Sequence, residues 1–411
     1  MKKYFFILYV LCYYPVCSVN AQIQYTPIED EDVKYVQDII FRDNFKTYLN
    51  NKYISCAIVD FGPYDSFLSF NPIEGIRIKF SGRTNENLSK RMRLQWMAAY
   101  GTNDRKFKYG MEFSYNLNSS VSGEYYIPKR IISLKYIDNT SMPNMYEYDK
   151  IQYSISPWRN YYLSYAQEAK IEYKHEILKG FVFIPFFSYN RLNSVKYYES
   201  DTPIETLKVK QDYFDMGLSL DFCPSRQNAM SISKINTRLN ELPTRICINY
   251  KYRKLSADNS HHHLASFILQ ERIFFFNSIA LDLQTIGGKI FGSTIEQLYF
   301  TPAQSYGLIS NIYGLNLSDF QNYFYRKEYL QTFLQINLCG LLTDKIKFLR
   351  QFRMNEFVYI KSLYGQYKPY HEIGVGLDNI FYVMGIEIIR SIKTEKPSDN
   401  GFWGIRLRVK F

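Results

Sequence analysis

Beyond its amino terminus this 411-residue chain has no run of the ~20 consecutive apolar residues that a membrane-spanning helix needs, since charges or amides interrupt every candidate. A helical membrane protein is excluded on that ground. Six cysteines and five histidines are too few and too scattered for a metal or redox centre, with no Cys-x-x-Cys pair and no Cys/His cluster at ligand spacing. His261, His262 and His263 are adjacent, and neighbouring residues of an extended segment cannot converge on one ion, so they read as a polar loop. No metal and no cofactor is expected. Nucleic acid is not expected as a partner either, because no nucleic-acid-binding motif is present. No internal repeat or linker splits the region that follows the leader.

What the chain has in excess is aromatic residues, 39 Tyr and 31 Phe. One soluble core has no use for so many, whereas two girdles at the interfaces of a bilayer do. Lys2 and Lys3 precede an apolar run from Tyr4 to Val16 and a short polar stretch ending at Ala21, the form of a cleavable secretory signal. Neither Cys12 nor Cys17 follows the small residue that lipidation requires. The formal charge of +11, less Lys2 and Lys3, is +9 for the exported chain. Such a basic protein fits a surface rich in lipopolysaccharide phosphates. Cys56, Cys223, Cys247 and Cys339 remain after export; disulfides are permitted, but their scatter favours isolated buried thiols.

From residue 52 onward, apolar and polar side chains alternate with period two. In 106–118, Phe107, Tyr109, Met111, Phe113, Tyr115 and Leu117 fall on one face, and Lys108, Gly110, Glu112, Ser114 and Asn116 on the other. Similar registers run through 76–80, 91–96, 214–222, 246–253 and 404–411. Further strands are expected near 53–61, 129–137, 161–173, 181–189, 266–275, 279–290, 328–339, 355–364, 370–377 and 385–392, with longer loops at 138–159, 190–203, 224–244 and 299–325. Strands of this length cross a bilayer at a tilt. The expected fold is all-β, a transmembrane antiparallel outer-membrane β-barrel of roughly 14 to 16 strands with a short N-terminal periplasmic helix. Three regions follow: a signal peptide (1–21), a periplasmic leader (22–51) carrying Val36, Ile39, Ile40, Phe41 and Phe45 at helical spacing, and the barrel (52–411).

The inward face is cationic in this register. Arg77, Lys79, Arg91, Arg93, Lys106, Lys108, Lys135, Lys251, Arg253, Arg406, Arg408 and Lys410 outnumber Glu112, Asp215, Asp221 and Glu372. Such a lumen selects anions if it is open, and is merely hydrated and salt-bridged if it is plugged. Asn71-Pro72-Ile73-Glu74-Gly75 reads as a turn in which Glu74 pairs with a lumen arginine. Gly374 and Gly376 leave space on the inner wall. The chain ends at Phe411, whose terminal aromatic marks a closing strand of the kind that barrel assembly machinery engages.

The runs Phe61-Gly62-Pro63-Tyr64, Phe70-Asn71-Pro72-Ile73-Glu74-Gly75-Ile76-Arg77, Gly82-Arg83-Thr84-Asn85, Ala99-Tyr100-Gly101, Gly287-Gly288-Lys289-Ile290-Phe291-Gly292 and 371–380 resemble the carboxy-terminal half of a Bacteroidota outer-membrane family of unknown function. That family carries a carboxypeptidase-regulatory-like β-sandwich ahead of its barrel. The resemblance covers 61–411 and implies a shortened member; it transfers no catalytic residue.

The expected function is that of a non-enzymatic outer-membrane barrel with a basic, porin-like lumen, acting as pore, anchor or envelope-assembly component, with outer-membrane lipid, lipopolysaccharide and the assembly machinery as partners. The alternative is a barrel hydrolase or acyltransferase on envelope lipid. It requires His175 or His371, the two histidines expected in strands, to lie beside a serine and an acid. TonB-dependent import is excluded by length, since a 22-stranded wall and a plug need more chain. An assembly-type barrel resembling the insertase superfamily fits the strand count but would lack periplasmic client-binding domains, and 299–325 shows no Arg-Gly-Tyr tip.

Overall fold

The computed structural model describes residues 53–63, 66–71, 74–118, 129–141, 164–194, 210–224, 242, 244–256, 260–275, 279–292, 298–300, 302, 314–316, 326–350, 352, 354–365, 369–380, 384–393 and 403–409. The expected signal peptide and leader helix, Pro72, Lys410, Phe411 and the side chains of Asn71 and Arg408 lie outside them.

The period-two alternation becomes one antiparallel sheet of eighteen strands. In order they are β1 (Ile54–Cys56), β2 (Val59–Phe61), β3 (Leu68–Asn71), β4 (Gly75–Thr84), β5 (Met92–Gly101), β6 (Phe107–Asn116), β7 (Arg130–Ser141), β8 (Ser164–Leu178), β9 (Phe181–Ser194) and β10 (Lys210–Phe222). They continue with β11 (Arg245–Leu255), β12 (His261–Phe275), β13 (Ile279–Phe291), β14 (Glu328–Asn337), β15 (Asn355–Gly365), β16 (Tyr370–Ile380), β17 (Met384–Lys393) and β18 (Trp403–Val409). Each strand from β4 to β18 pairs with the next.

The first wall position is shared. β2 pairs with the Gly82–Thr84 end of β4, and β3 with its Gly75–Ile78 end. Between them the chain leaves the ladder at Gly62, whose N–H donates to the Ser81 carbonyl (2.9 Å), and rejoins it at Phe67, whose carbonyl accepts from Lys79 N–H (2.8 Å). Among the described residues β2 and β3 together therefore fill one place ahead of the fifteen from β4 to β18, sixteen positions in all. β1 folds back on β2. The single strand expected over 53–61 is corrected to the β1–β2 hairpin, because Ala57 and Ile58 turn the chain there.

Exposure identifies the solvent of each face. Ile76, Ile78 and Phe80 of β4, Phe107, Tyr109, Met111 and Phe113 of β6, Ile246, Ile248 and Tyr250 of β11, and Ile405 and Leu407 of β18 are all exposed. Lys108, Asp215, Arg253, Lys361, Glu372 and Glu387 are buried. A face this apolar is stable only against lipid, where pairing between neighbouring strands satisfies the backbone groups that water cannot reach. The chain is an outer-membrane β-barrel, with its apolar belt outside and its polar side chains inside.

The side on which β18 ends carries the shortest connection, 179–180, and the opposite side carries the longest, 292–327. The first side is periplasmic and the second extracellular. Two expected loops are corrected: β7 continues to Ser141 and β9 to Ser194, since Asp138, Asn139, Asn190 and Asn193 are strand residues whose polarity suits the wet end of the wall. The four cysteines of the barrel are free thiols, Cys223, Cys247 and Cys339 buried and Cys56 exposed.

Candidate functional site in the barrel lumen

Several of the lumen's cations are matched to carboxylates. At the extracellular end, the Lys108 ammonium lies 2.8 Å from Glu74 Oε1 and 2.7 Å from Asp104 Oδ2. Arg77 reaches Glu74 Oε2 at 3.3 Å and donates to Asn139 Oδ1 at 2.8 Å, and Tyr165 Oη donates to Asp104 at 3.0 Å. Of the turn expected at residues 71–75, Pro72 and Ile73 lie outside the described residues; Asn71 pairs with Gly75, and Glu74 takes Arg77. Gly75 has φ +69°, and a Cβ there would meet Thr102 Oγ1 at 2.7 Å, so both backbone angle and space demand glycine. Lys106 sits 3.6 Å over the Tyr165 ring.

Elsewhere Arg253 forms two charge-assisted bonds to Asp215, at 2.6 and 2.7 Å. Lys135 pairs with Glu168 (2.8 Å), Arg245 with Asp221 (2.8 Å), and Arg272 with Asp282 (2.5 Å). Lys79 donates to Ser66 Oγ, and Lys251 lies 5.7 Å from the Phe186 ring. Arg91 falls in the β4–β5 turn, and it and Arg93 are exposed at the periplasmic mouth.

A second cluster comes from the long connection 292–327. Gly314, Leu315 and Asn316 sit inside the barrel against β15, β16 and β18. The Asn316 backbone N–H donates to both Glu372 oxygens at 2.8 Å, and its side-chain amide donates to Tyr359 Oη at 3.0 Å. The Lys361 ammonium donates to the Gly314 carbonyl (2.7 Å), and Tyr370 Oη to Glu372 Oε1 (2.8 Å). Arg406 bonds Asn316 Oδ1 and lies 3.4 Å from Glu387. Leu315 is fully buried in an apolar cluster with Phe300, Tyr329, Leu363 and Tyr370. The space on the inner wall at Gly374 and Gly376 is filled by aromatic rings of β15: a Cβ at Gly374 would fall 2.2 Å from the Tyr359 ring, and one at Gly376 2.6 Å from Phe357.

An open chamber of about 320 Å³ remains beside this insertion. Its ionic wall includes Lys170, Glu172, Lys174, Asp221 and Arg245; its apolar wall includes Leu264, Ile268, Ile286 and Phe300. Acids and bases alternate along the ionic wall, where Glu172 bridges Lys170 (2.6 Å) and Lys174 (2.7 Å).

The histidines need correction. His261, His262 and His263 open strand β12, rather than forming a loop, so all five histidines of the chain are strand residues. The β11–β12 connection is shorter than expected, and pairing of Lys254 with His261 draws the triplet into the ladder. His261 and His263 pack at a tilt against the Tyr252 ring, and His263 Nδ1 meets Tyr250 Oη at 2.6 Å. No group of three metal-ligating side chains occurs among the described residues. His371 Nδ1 lies 2.8 Å from Ser362 Oγ on the outer wall. It belongs to a row of directly paired, lipid-side polar residues, Thr285–Thr332–Ser362–His371, crossing β13 to β16. Among the described residues no carboxylate bonds His371. His175 packs at a tilt against the Tyr173 ring.

Sequence reasoning missed Asp104, Tyr165, Asn316 and Lys361. The first and third lie in connections, where alternation says nothing about whether a side chain turns inward.

No family model and no curated protein matches this chain. Among solved structures, the chain is similar to BamA from Haemophilus ducreyi lacking POTRA domains 1-3, at 10% identity and a TM-score of 0.49, over 85% of this chain and 69% of that one. It is similar also to CdiB from Acinetobacter baumannii, at 10% identity and a TM-score of 0.44, over 83% of this chain and 58% of that one.

Proposed function

We propose that this barrel is a closed component of the outer membrane, an anchor or envelope-assembly part that acts through its wall and loops and not as an open anion pore. The carrying observation is the seating of Gly314, Leu315 and Asn316 inside the lumen, held by Glu372, Lys361, Tyr359 and Arg406. Pairing of Arg77, Lys108, Lys135, Arg253 and Arg406 with carboxylates supports the same reading, because paired charges present little net field to a passing ion. On this reading lipopolysaccharide and phospholipid surround the wall, the assembly machinery engages the strand ending at Phe411, and the chain is a shortened relative of the Bacteroidota family it resembles.

Loosening the inserted segment tests the proposal. Glu372→Gln removes the charge that binds the Asn316 N–H, and with Lys361→Met it frees both hydrogen-bonded ends. The double variant should pass small anions in a liposome-swelling assay, with wild-type vesicles staying tight. Equal swelling of the two would contradict the proposal.

A hydrolase or acyltransferase has one observation in its favour, the Ser362–His371 pair on the lipid side. A nucleophilic serine needs a base that is itself oriented, and His371 has no acid for that role among the described residues. Ser362→Ala is expected to leave fatty-acid release from phospholipid vesicles at the wild-type level; a loss of measurable release in the variant would establish the enzyme.

A further inference from the structure

The connection between β14 and β15, 338–354, is held by a carboxylate of the strand that follows it. The Glu356 carboxylate accepts backbone N–H groups from Gly340 (2.7 Å), Leu342 (3.2 Å) and Thr343 (2.5 Å), so the inner side of the turn is fixed to the barrel. Cys339 and Thr343 are buried against it. A one-turn helix, α1 (Lys347–Arg350), follows, closed by a bond from Arg350 Nε to the Asp344 carbonyl (3.0 Å).

With its backbone held this way, the turn displays large apolar side chains: Leu341 is 45% exposed, Leu342 55%, Ile346 54% and Phe348 67%. Lys345, Lys347 and Arg350 are interspersed with them, against one acid, Asp344. An aqueous periplasmic loop gains nothing from four exposed residues of this size. The lipid belt explains them. Ile336 of β14 and Val358 of β15 are exposed outward on either side of the turn, so the apolar surface continues from the wall into it. Cations beside apolar side chains at the edge of a hydrocarbon layer match phosphate headgroups.

We infer that residues 341–350 form an interfacial anchor that seats in the periplasm-facing phospholipid leaflet, with Leu341, Leu342, Ile346 and Phe348 among the acyl chains and Lys345, Lys347 and Arg350 on the headgroup phosphates. The anchor fixes the depth and tilt of the β14–β15 side of the barrel.

The test places a fluorophore on the turn. Trp96, Trp158 and Trp403 are replaced by Phe, Phe348→Trp is introduced, and the full chain is refolded into phosphatidylethanolamine/phosphatidylglycerol vesicles, with heat-modifiable migration confirming the fold. Bromine on the upper part of the acyl chains should quench the emission roughly twofold, while aqueous acrylamide quenches little. Lys345→Glu with Lys347→Glu should weaken the bromolipid quenching. Strong acrylamide quenching without bromolipid quenching would show that the turn stands in water, and protection from both would show a protein cover; either result overturns the anchor. Ile346→Trp supplies a second reporter should Phe348→Trp fail to fold.

Discussion

Asp215 and Arg253 are buried together and joined by two parallel bonds. Asp215→Asn keeps the shape and removes the charge, stranding a buried guanidinium. It should lower the unfolding free energy by about 3 kcal/mol in urea titrations of the refolded barrel, with Arg253→Met in the same chain recovering part of the loss. A single Asp215→Asn variant as stable as wild type would show that water reaches the pair. The pairing was legible only in part from the sequence. Alternation put Asp215 and Arg253 on one face of neighbouring strands, but their shared side chain contact depends on the β10–β11 register, which sets Asp215 opposite Arg253 and is decided by the whole ladder.

At the scale of elements, β15 and β16 pack an aromatic strand against a glycine-bearing one. Gly374→Val puts branched carbons where the Tyr359 ring now lies, which costs about 1–3 kcal/mol by overpacking and displaces the hydroxyl that accepts from Asn316. The variant should melt at a lower temperature in detergent and admit small solutes that wild type excludes; unchanged melting would mean that Tyr359 has another rotamer available at no cost. Strands were the most readable elements, because a lipid face and a wet face impose alternation on residues such as Phe107 to Asn116. Alternation faded at the wet ends, where Asn139 and Asn190 resemble loop residues, and at His261–His263, where three polar residues in succession hide the period. Connections were opaque: nothing in Gly314-Leu315-Asn316 marks a segment that folds into a barrel, since its partners Lys361, Glu372 and Arg406 are far away in sequence.

For the whole molecule, length, aromatic surplus and strand periodicity already implied an even-numbered outer-membrane barrel, and the sixteen-position wall agrees with them. The sequence implied a basic lumen because it counts charges without their partners. In the folded barrel Glu74, Asp104, Glu168, Asp215 and Glu387 lie beside those cations, and Gly314, Leu315 and Asn316 occupy part of the bore. The most direct measurement is single-barrel conductance of the refolded wild-type protein in a planar bilayer under a salt gradient. A closed lumen gives a heat-modifiable, folded barrel that carries no steady current, whereas a steady current with anion preference would contradict closure.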